Sequence, residues 1–152
     1  MIHSVTTNNA DETQRLGEEW ARTASPGWII GLRGDLGAGK TQIVKGFAKG
    51  LGIEARVQSP TFALVHEYKT GQLPLYHLDL YRLENEAQIR GAGLEEYLEQ
   101  RSGVTMVEWV DRWPELFPSA LEAFKPMLRY RYVNIEQIGE SGRRINYEDF
   151  GA

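Results

Sequence analysis

Gly34-Asp35-Leu36-Gly37-Ala38-Gly39-Lys40-Thr41 has the spacing G-x-x-x-x-G-K-[ST]. The residue types explain what such a stretch does. Glycines let successive backbone N–H groups turn inward and form a concave nest for phosphate oxygens. A lysine at position 40 reaches β- and γ-phosphates, and a hydroxyl at position 41 offers an oxygen to Mg²⁺. A helix that starts here adds the positive end of its dipole. Asp35, Leu36, Gly37, Ala38, Gly39, Lys40, Thr41 and Gln42 are therefore candidate nucleotide contacts.

The flanks give the spacing its weight. The apolar run Trp28-Ile29-Ile30-Gly31-Leu32 precedes it and reads as a buried strand. Ile43, Val44, Phe47 and Leu51 follow at helical spacing. Gly50 and Gly52 supply the stop. A glycine-rich turn that binds nothing is the alternative, and a strand before with a helix after argues against it. Asp35 puts a negative charge in an anion-binding loop, so it is expected to point away or to bond the turn's own backbone.

The bulk numbers set limits. With 152 residues, one domain spanning 1–152 is expected, long enough for one core. A composition 41% hydrophobic and 25% charged is that of an ordered globular chain. There is no apolar run of membrane-spanning length, and Met1-Ile2-His3-Ser4-Val5 lacks the layout of a signal peptide. Zero cysteines exclude disulfides and cysteine-based metal sites. Together these point to the cytoplasm and to no membrane partner. A net charge of −4 speaks against autonomous nucleic-acid binding, which needs a basic face. The basic pairs Arg129/Arg131 and Arg143/Arg144 fit solvated strand faces.

The rest of the chain reads as follows. Residues 1–7 alternate like an edge strand. Asp11 or Asn9 caps a helix through Arg15, Leu16, Trp20 and Ala21 to about Thr23. Ser25-Pro26-Gly27 ends it. Gln58 to Phe62 is a loop, because Pro60 disfavours helix at Ser59. Residues 63–68 and 73–80 form two antiparallel strands joined by Lys69-Thr70-Gly71-Gln72. Residues 81–93 are polar and glycine-punctuated, and Leu94 to Leu98 is a short helix. Val104 to Val107 is an apolar strand. Trp113 to Pro118 is a loop, and Ala120 to Phe124 a helical turn. Residues 128–137 alternate Tyr130, Tyr132 and Ile135 with charged residues, the pattern of a half-buried strand. This strand and residues 143–150 make a hairpin across Gly139-Glu140-Ser141-Gly142.

A phosphate loop needs an acid at the end of a neighbouring strand to hold Mg²⁺, directly or through water. Two strands end in one: Asp79 and Glu108. Spacing alone leaves open which of them binds the metal. His3, His66 and His77 share no metal-ligand spacing and read as structural or surface residues. Trp109 suits stacking on a base or ribose, or a place in the core or a partner contact.

Taken together, Gly34 to Thr41, Ser59-Pro60-Thr61-Phe62, Tyr76-His77-Leu78-Asp79-Leu80-Tyr81-Arg82, and Glu108-Trp109 with Asp111-Arg112 closely resemble the TsaE (YjeE) family. These are bacterial P-loop ATPases of threonylcarbamoyladenosine (t6A) synthesis in tRNA. Order and spacing agree over about residues 12–115, and the C-terminal hairpin fits more loosely. The resemblance implies an α/β, P-loop NTPase-like three-layer domain whose mixed sheet carries added antiparallel strands. It implies ATP on Lys40 and the loop amides, and Mg²⁺ on Thr41 and Glu108. Lys40, Asp79 and Glu108 would be the catalytic set, with Asp79 close by in a water-positioning role. Ser59, Pro60, Thr61 and Phe62 would form a switch sensing the γ-phosphate, and Glu12 and Thr13 would lie by the adenine. TsaD and TsaB would be the partners, reset between turnovers by ATP hydrolysis, with tRNA met only through the complex. Two other functions compete: a small-molecule kinase, and a nucleotide-dependent binding module that needs no hydrolysis. No arginine-rich lid or acceptor-binding block supports the kinase.

Overall fold

In the computed structural model, residues 1–35, 37–58, 65–81, 83–85, 87–88, 93, 95–112 and 129–151 are described. Leu36, the expected switch Ser59 to Phe62, the loop at 113–118 and the helical turn at 120–124 lie outside them. The chain runs β1 (Ile2–Thr7), α1 (Ala10–Ala21), β2 (Ile29–Gly34), α2 (Lys40–Gly50), β3 (Val65–Tyr68) and β4 (Leu75–Asp79). It continues with α3 (Glu95–Glu99), β5 (Val104–Glu108), a 3-10 turn (Val110–Arg112), β6 (Tyr130–Ile138) and β7 (Gly142–Phe150). The seven strands form one mixed sheet of order β1-β7-β6-β2-β5-β4-β3. β6, β2, β5 and β4 run parallel, while β3, β7 and β1 pair antiparallel outside them.

β2 is central because it is apolar on both sides. Ile30 and Leu32 enter the core under α1 and α2, with Ile43, Val44, Phe47, Met106 and Val133. Ile29 faces the opposite core, with Leu78, Val107, Val110 and Tyr130. A strand covered on both faces reads as a continuous hydrophobic run. β5 is buried along its whole length, Glu108 included.

The ends of α1 follow from local chemistry. Asn9 caps it, its Oδ1 accepting the Glu12 N–H at 2.9 Å. Asp11, the other expected cap, lies in the first turn, where its charge suits the helix dipole. Helices α1 and α2 pack against each other through glycines. A Cβ on Gly46 would collide with the backbone carbonyl of Gln14, and one on Gly17 with that of Ile43. Gly50 does the same work: a Cβ there would stand 2.9 Å from the Glu18 carbonyl oxygen. It is thus a contact rather than a stop. The left-handed residue after the helix is Gly52, with φ +80°.

One expectation is corrected. Arg131 does not lie on a solvated strand face: it is buried with Tyr130, Val133 and Ile135, while Tyr132 and Asn134 are half-buried and Glu136 to Ile138 exposed, as in a half-buried strand. The strand is paired with β2 along one edge and with β7 along the other. Arg131 enters because Asp149 binds its guanidinium at 2.6 and 2.8 Å, a bidentate pair. Among the described residues, no helix is long and apolar enough to cross a membrane.

The α1–α2 contact gives a test. Gly46→Ala should destabilise the chain by about 1–3 kcal/mol, because overpacking outweighs the ~1 kcal/mol of helix propensity that alanine adds. Urea denaturation of the variant measures it, and an unchanged midpoint would contradict the close approach.

Candidate functional site

The parallel strands end together. Leu32 of β2 is in register with Glu108 of β5, and Glu108 with Asp79 of β4. In open α/β sheets the loops beyond such carboxyl ends form the ligand crevice. β2 delivers Gly34 to this edge, and α2 starts six residues later at Lys40. Gly34 is held close to β6: a Cβ there would lie 2.7 Å from the Ile135 carbonyl. Gly39 has φ +110°, a left-handed value that carries the chain from loop to helix. By their position in the first turn of α2, the N–H groups of Lys40 and Thr41 have no intrahelical acceptor.

Lys40 is folded back on the loop. Its Nζ donates to the carbonyls of Gly34 at 2.6 Å and Asp35 at 2.9 Å. The side chain is buried, and burial lowers its pKa from the usual lysine value. The negative charges of Glu108, then Asp79, Asp111 and Asp35, oppose that shift. Above Nζ, 3.9 Å from its centroid, lies the ring of Trp109. Trp109 has φ +64°, strained for a bulky residue. Its N–H bonds to Leu32 O at 2.9 Å, and its ring packs on Tyr81 with centroids 4.8 Å apart.

The Thr41 hydroxyl donates to the Glu108 carboxylate, 3.0 Å from Oε1 and 3.1 Å from Oε2. From the other side, His77 Nε2 lies 2.5 Å from Glu108 Oε2. Both His77 and Glu108 are buried, so the carboxylate is held by a hydroxyl and an imidazole with little water. His77 was missed as a site residue because it has no metal-ligand spacing. The signal that could have found it is its place two residues before Asp79, on the same face of β4. Asp79 is half-buried, its Oδ1 accepting the Tyr81 N–H at 2.9 Å.

The remaining candidates are spread around this centre. Asp35 is exposed, while its carbonyl takes the Ala38 N–H at 2.9 Å as well as Lys40. Gln42 accepts from Gln14 at 2.7 Å, tying α2 to α1 beside the loop. Glu12 is half-buried, and its carboxylate meets the Asn8 and Asn9 amides at the start of α1. Thr13 is buried and shares a 2.7 Å hydrogen bond with Thr7. Its methyl is 4.0 Å from where a Cβ on Gly39 would stand, so it backs the loop. Arg143 is not a solvated strand residue: its Nε donates to Ala38 O at 2.7 Å. Arg144 is exposed, 4.0 Å from Glu136.

The donor set suits one kind of ion. Among the described residues, no group of three or more His, Cys, Asp or Glu side chains gathers to cage a metal. A hydroxyl and one carboxylate beside a glycine loop could instead be shared by Mg²⁺, which takes few protein oxygens and completes its shell with phosphates and water.

The family model "Threonylcarbamoyl adenosine biosynthesis protein TsaE" matches residues 7–145. The chain is similar to the tRNA threonylcarbamoyladenosine biosynthesis protein TsaE of Bacillus subtilis, 42% identical over 95% of this chain and 84% of that one. It is 47% identical to its Synechocystis counterpart over 68% of each. The crystal structure of Bacillus subtilis YdiB superposes with a TM-score of 0.73 at 36% identity, covering 97% of this chain and 84% of that one. With a family model that matches most of its length and relatives this similar, the chain belongs to the TsaE family of tRNA threonylcarbamoyladenosine biosynthesis.

Proposed function

We propose that this chain is a Mg²⁺-dependent ATPase that acts within a t6A-forming assembly. The fold is then a P-loop NTPase-like three-layer domain, with β1, β7 and β3 as the added antiparallel strands. The observation that carries the reading is the convergence of Lys40, Thr41 and Glu108 at the mouth of a glycine loop. In isolation each has a bland explanation. Together they are the phosphate, hydroxyl and carboxylate positions of a nucleotide site.

Each residue has a part that its present contacts prepare. Lys40 would exchange the Gly34 and Asp35 carbonyls for phosphate oxygens, which restores a full partner to a buried charge. The loop amides and the start of α2 would surround the same oxygens. Thr41 and Glu108 would hold Mg²⁺. When bound, that ion would offset the negative charge that develops on the phosphate oxygens. His77 would keep Glu108 turned toward Thr41. Asp79, at the same level of the sheet, would orient the attacking water. Trp109 would shield Lys40 or contact base, ribose or partner. Ser59 to Phe62 would sense the γ-phosphate. The partners would be TsaD and TsaB, with hydrolysis resetting their complex and tRNA met only through it. The setting would be the cytoplasm.

Three measurements test this. Glu108→Gln should lower Mg-ATP hydrolysis about 100-fold or more while ADP still binds, since a neutral amide removes a charge needed in the transition state. An unaffected rate would sink the metal role. Reconstitution of t6A formation with TsaD and TsaB should need the wild-type chain and ATP. An equal multiple-turnover yield with the Glu108→Gln variant would favour a non-hydrolysing module. His77→Leu removes a donor from a buried carboxylate and should cost about 1–3 kcal/mol in chemical denaturation. His77→Gln should recover part of it by restoring an N–H, and both should reduce the gain in ADP affinity that Mg²⁺ gives.

A further inference from the structure

Turning N–H groups inward sends the loop's carbonyls elsewhere, and each of these needs a partner. Two cations supply partners for four of them. Lys40 takes the carbonyls of Gly34 and Asp35. Arg143, far away in sequence, takes the other two. Its Nε donates to Ala38 O at 2.7 Å, and one Nη donates to Gly37 O at 3.2 Å. The other Nη donates to Gly142 O at 2.8 Å and so fastens the guanidinium to its own strand.

The arginine is itself firmly mounted. Its Cα is in register with Thr7 of β1 on one side and Gln137 of β6 on the other. A residue paired on both flanks of an antiparallel block presents its donors from a fixed base. The same block reaches the loop a second time. Thr7 holds Thr13, and Arg143 Nε lies 3.7 Å from the place of a Cβ on Gly39, with the Thr13 methyl 4.0 Å from that place.

We infer that Arg143 is a positioning residue for the phosphate loop. Its fork fixes the Gly37 and Ala38 carbonyls, so that the Gly39 amide, in one peptide plane with the Ala38 carbonyl, faces the ligand, while the Ala38 N–H stays on the Asp35 carbonyl. The two cations differ in what a nucleotide does to them. Lys40 must release its carbonyls to reach phosphate, whereas Arg143 can stay. Once Lys40 has turned, Arg143 is the remaining side-chain hold on the loop's carbonyls among the described residues. A lysine cannot copy it, because a flexible ammonium is a point charge and the guanidinium is a planar fork. The consequence for affinity rests on the nucleotide reading above, but the bracing belongs to the nucleotide-free chain.

The test uses the full chain and the variants Arg143→Ala, Arg143→Gln and Arg143→Lys. Amide hydrogen exchange is followed without nucleotide, and Mg-ADP affinity is measured by calorimetry. In Arg143→Ala, exchange of the amides of residues 37–41 should rise about tenfold while β2, β5 and the end of α2 keep their protection. ADP affinity should fall about tenfold, as expected for loss of charge-assisted hydrogen bonds. Arg143→Lys should lie between the wild type and Arg143→Ala in both readouts. Unchanged loop exchange, or loosening spread evenly over the sheet, overturns the inference. If Arg143→Ala does not fold, the order Gln above Lys above wild type in loop exchange decides the matter in its place. Should the wild type bind no nucleotide while the loop still loosens, the proposed function fails and the bracing stands.

Discussion

The hydrogen bond between Thr41 and Glu108 joins the first turn of α2 to the end of β5, 67 residues further along the chain. It ties α2 to β5 and, through His77, to β4. A buried carboxylate is costly unless its oxygens are satisfied, and this one is met by Thr41 on one side and His77 on the other. The three residues come from three elements: α2, β4 and β5. Bringing them to one point requires the parallel order β2-β5-β4, with helix α2 laid across the face of the sheet. The sheet's topology and the charge at its edge are thus one problem with one solution.

The glycines of α1 and α2 serve the same end. Gly17, Gly46 and Gly50 let the two helices approach at backbone distance. Helix α2 is held there by α1 rather than by its own propensity, which its two glycines, Gly46 and Gly50, lower. The glycine loop is then gripped at both ends. Gly34 is pressed against Ile135, and Lys40 opens a helix that cannot slide. Trp109 at a left-handed φ closes the remaining side, directly after Glu108. Strain of that kind is kept only where surrounding structure imposes it, and it falls at the site.

Much of the fold was legible because buried strands and amphipathic helices have different periods. The runs at 28–32 and 104–107 read as strands and are strands, though β2 and β5 extend to Gly34 and Glu108. The helix after the loop and the C-terminal hairpin were equally plain. Arg131 was misjudged because alternation in sequence does not reveal what lies across the hairpin. Here Asp149 neutralises Arg131 from across the hairpin, and a charged position becomes an interior one. His77 was passed over for a similar reason. A lone histidine has no pattern, and its partner is 31 residues away. Arg143 stood in a basic pair that looked solvated, and its acceptors are backbone carbonyls, which leave no mark in a sequence.

By itself the amino-acid sequence determined that a strand, a glycine loop and a helix follow one another, and that Lys40 and Thr41 open that helix. Those features are local, set by glycine conformations and hydrophobic period. The sequence also placed acids at two strand ends. Tertiary structure decided that it is Glu108 that meets Thr41, that His77 stands behind it, and that Arg143 braces the loop from the hairpin. Each of these depends on strand order and register, which arise from long-range pairing and burial. Spacing along a chain records neighbours, whereas a carboxylate at the edge of a sheet takes its partners from whichever strands the core has put beside it.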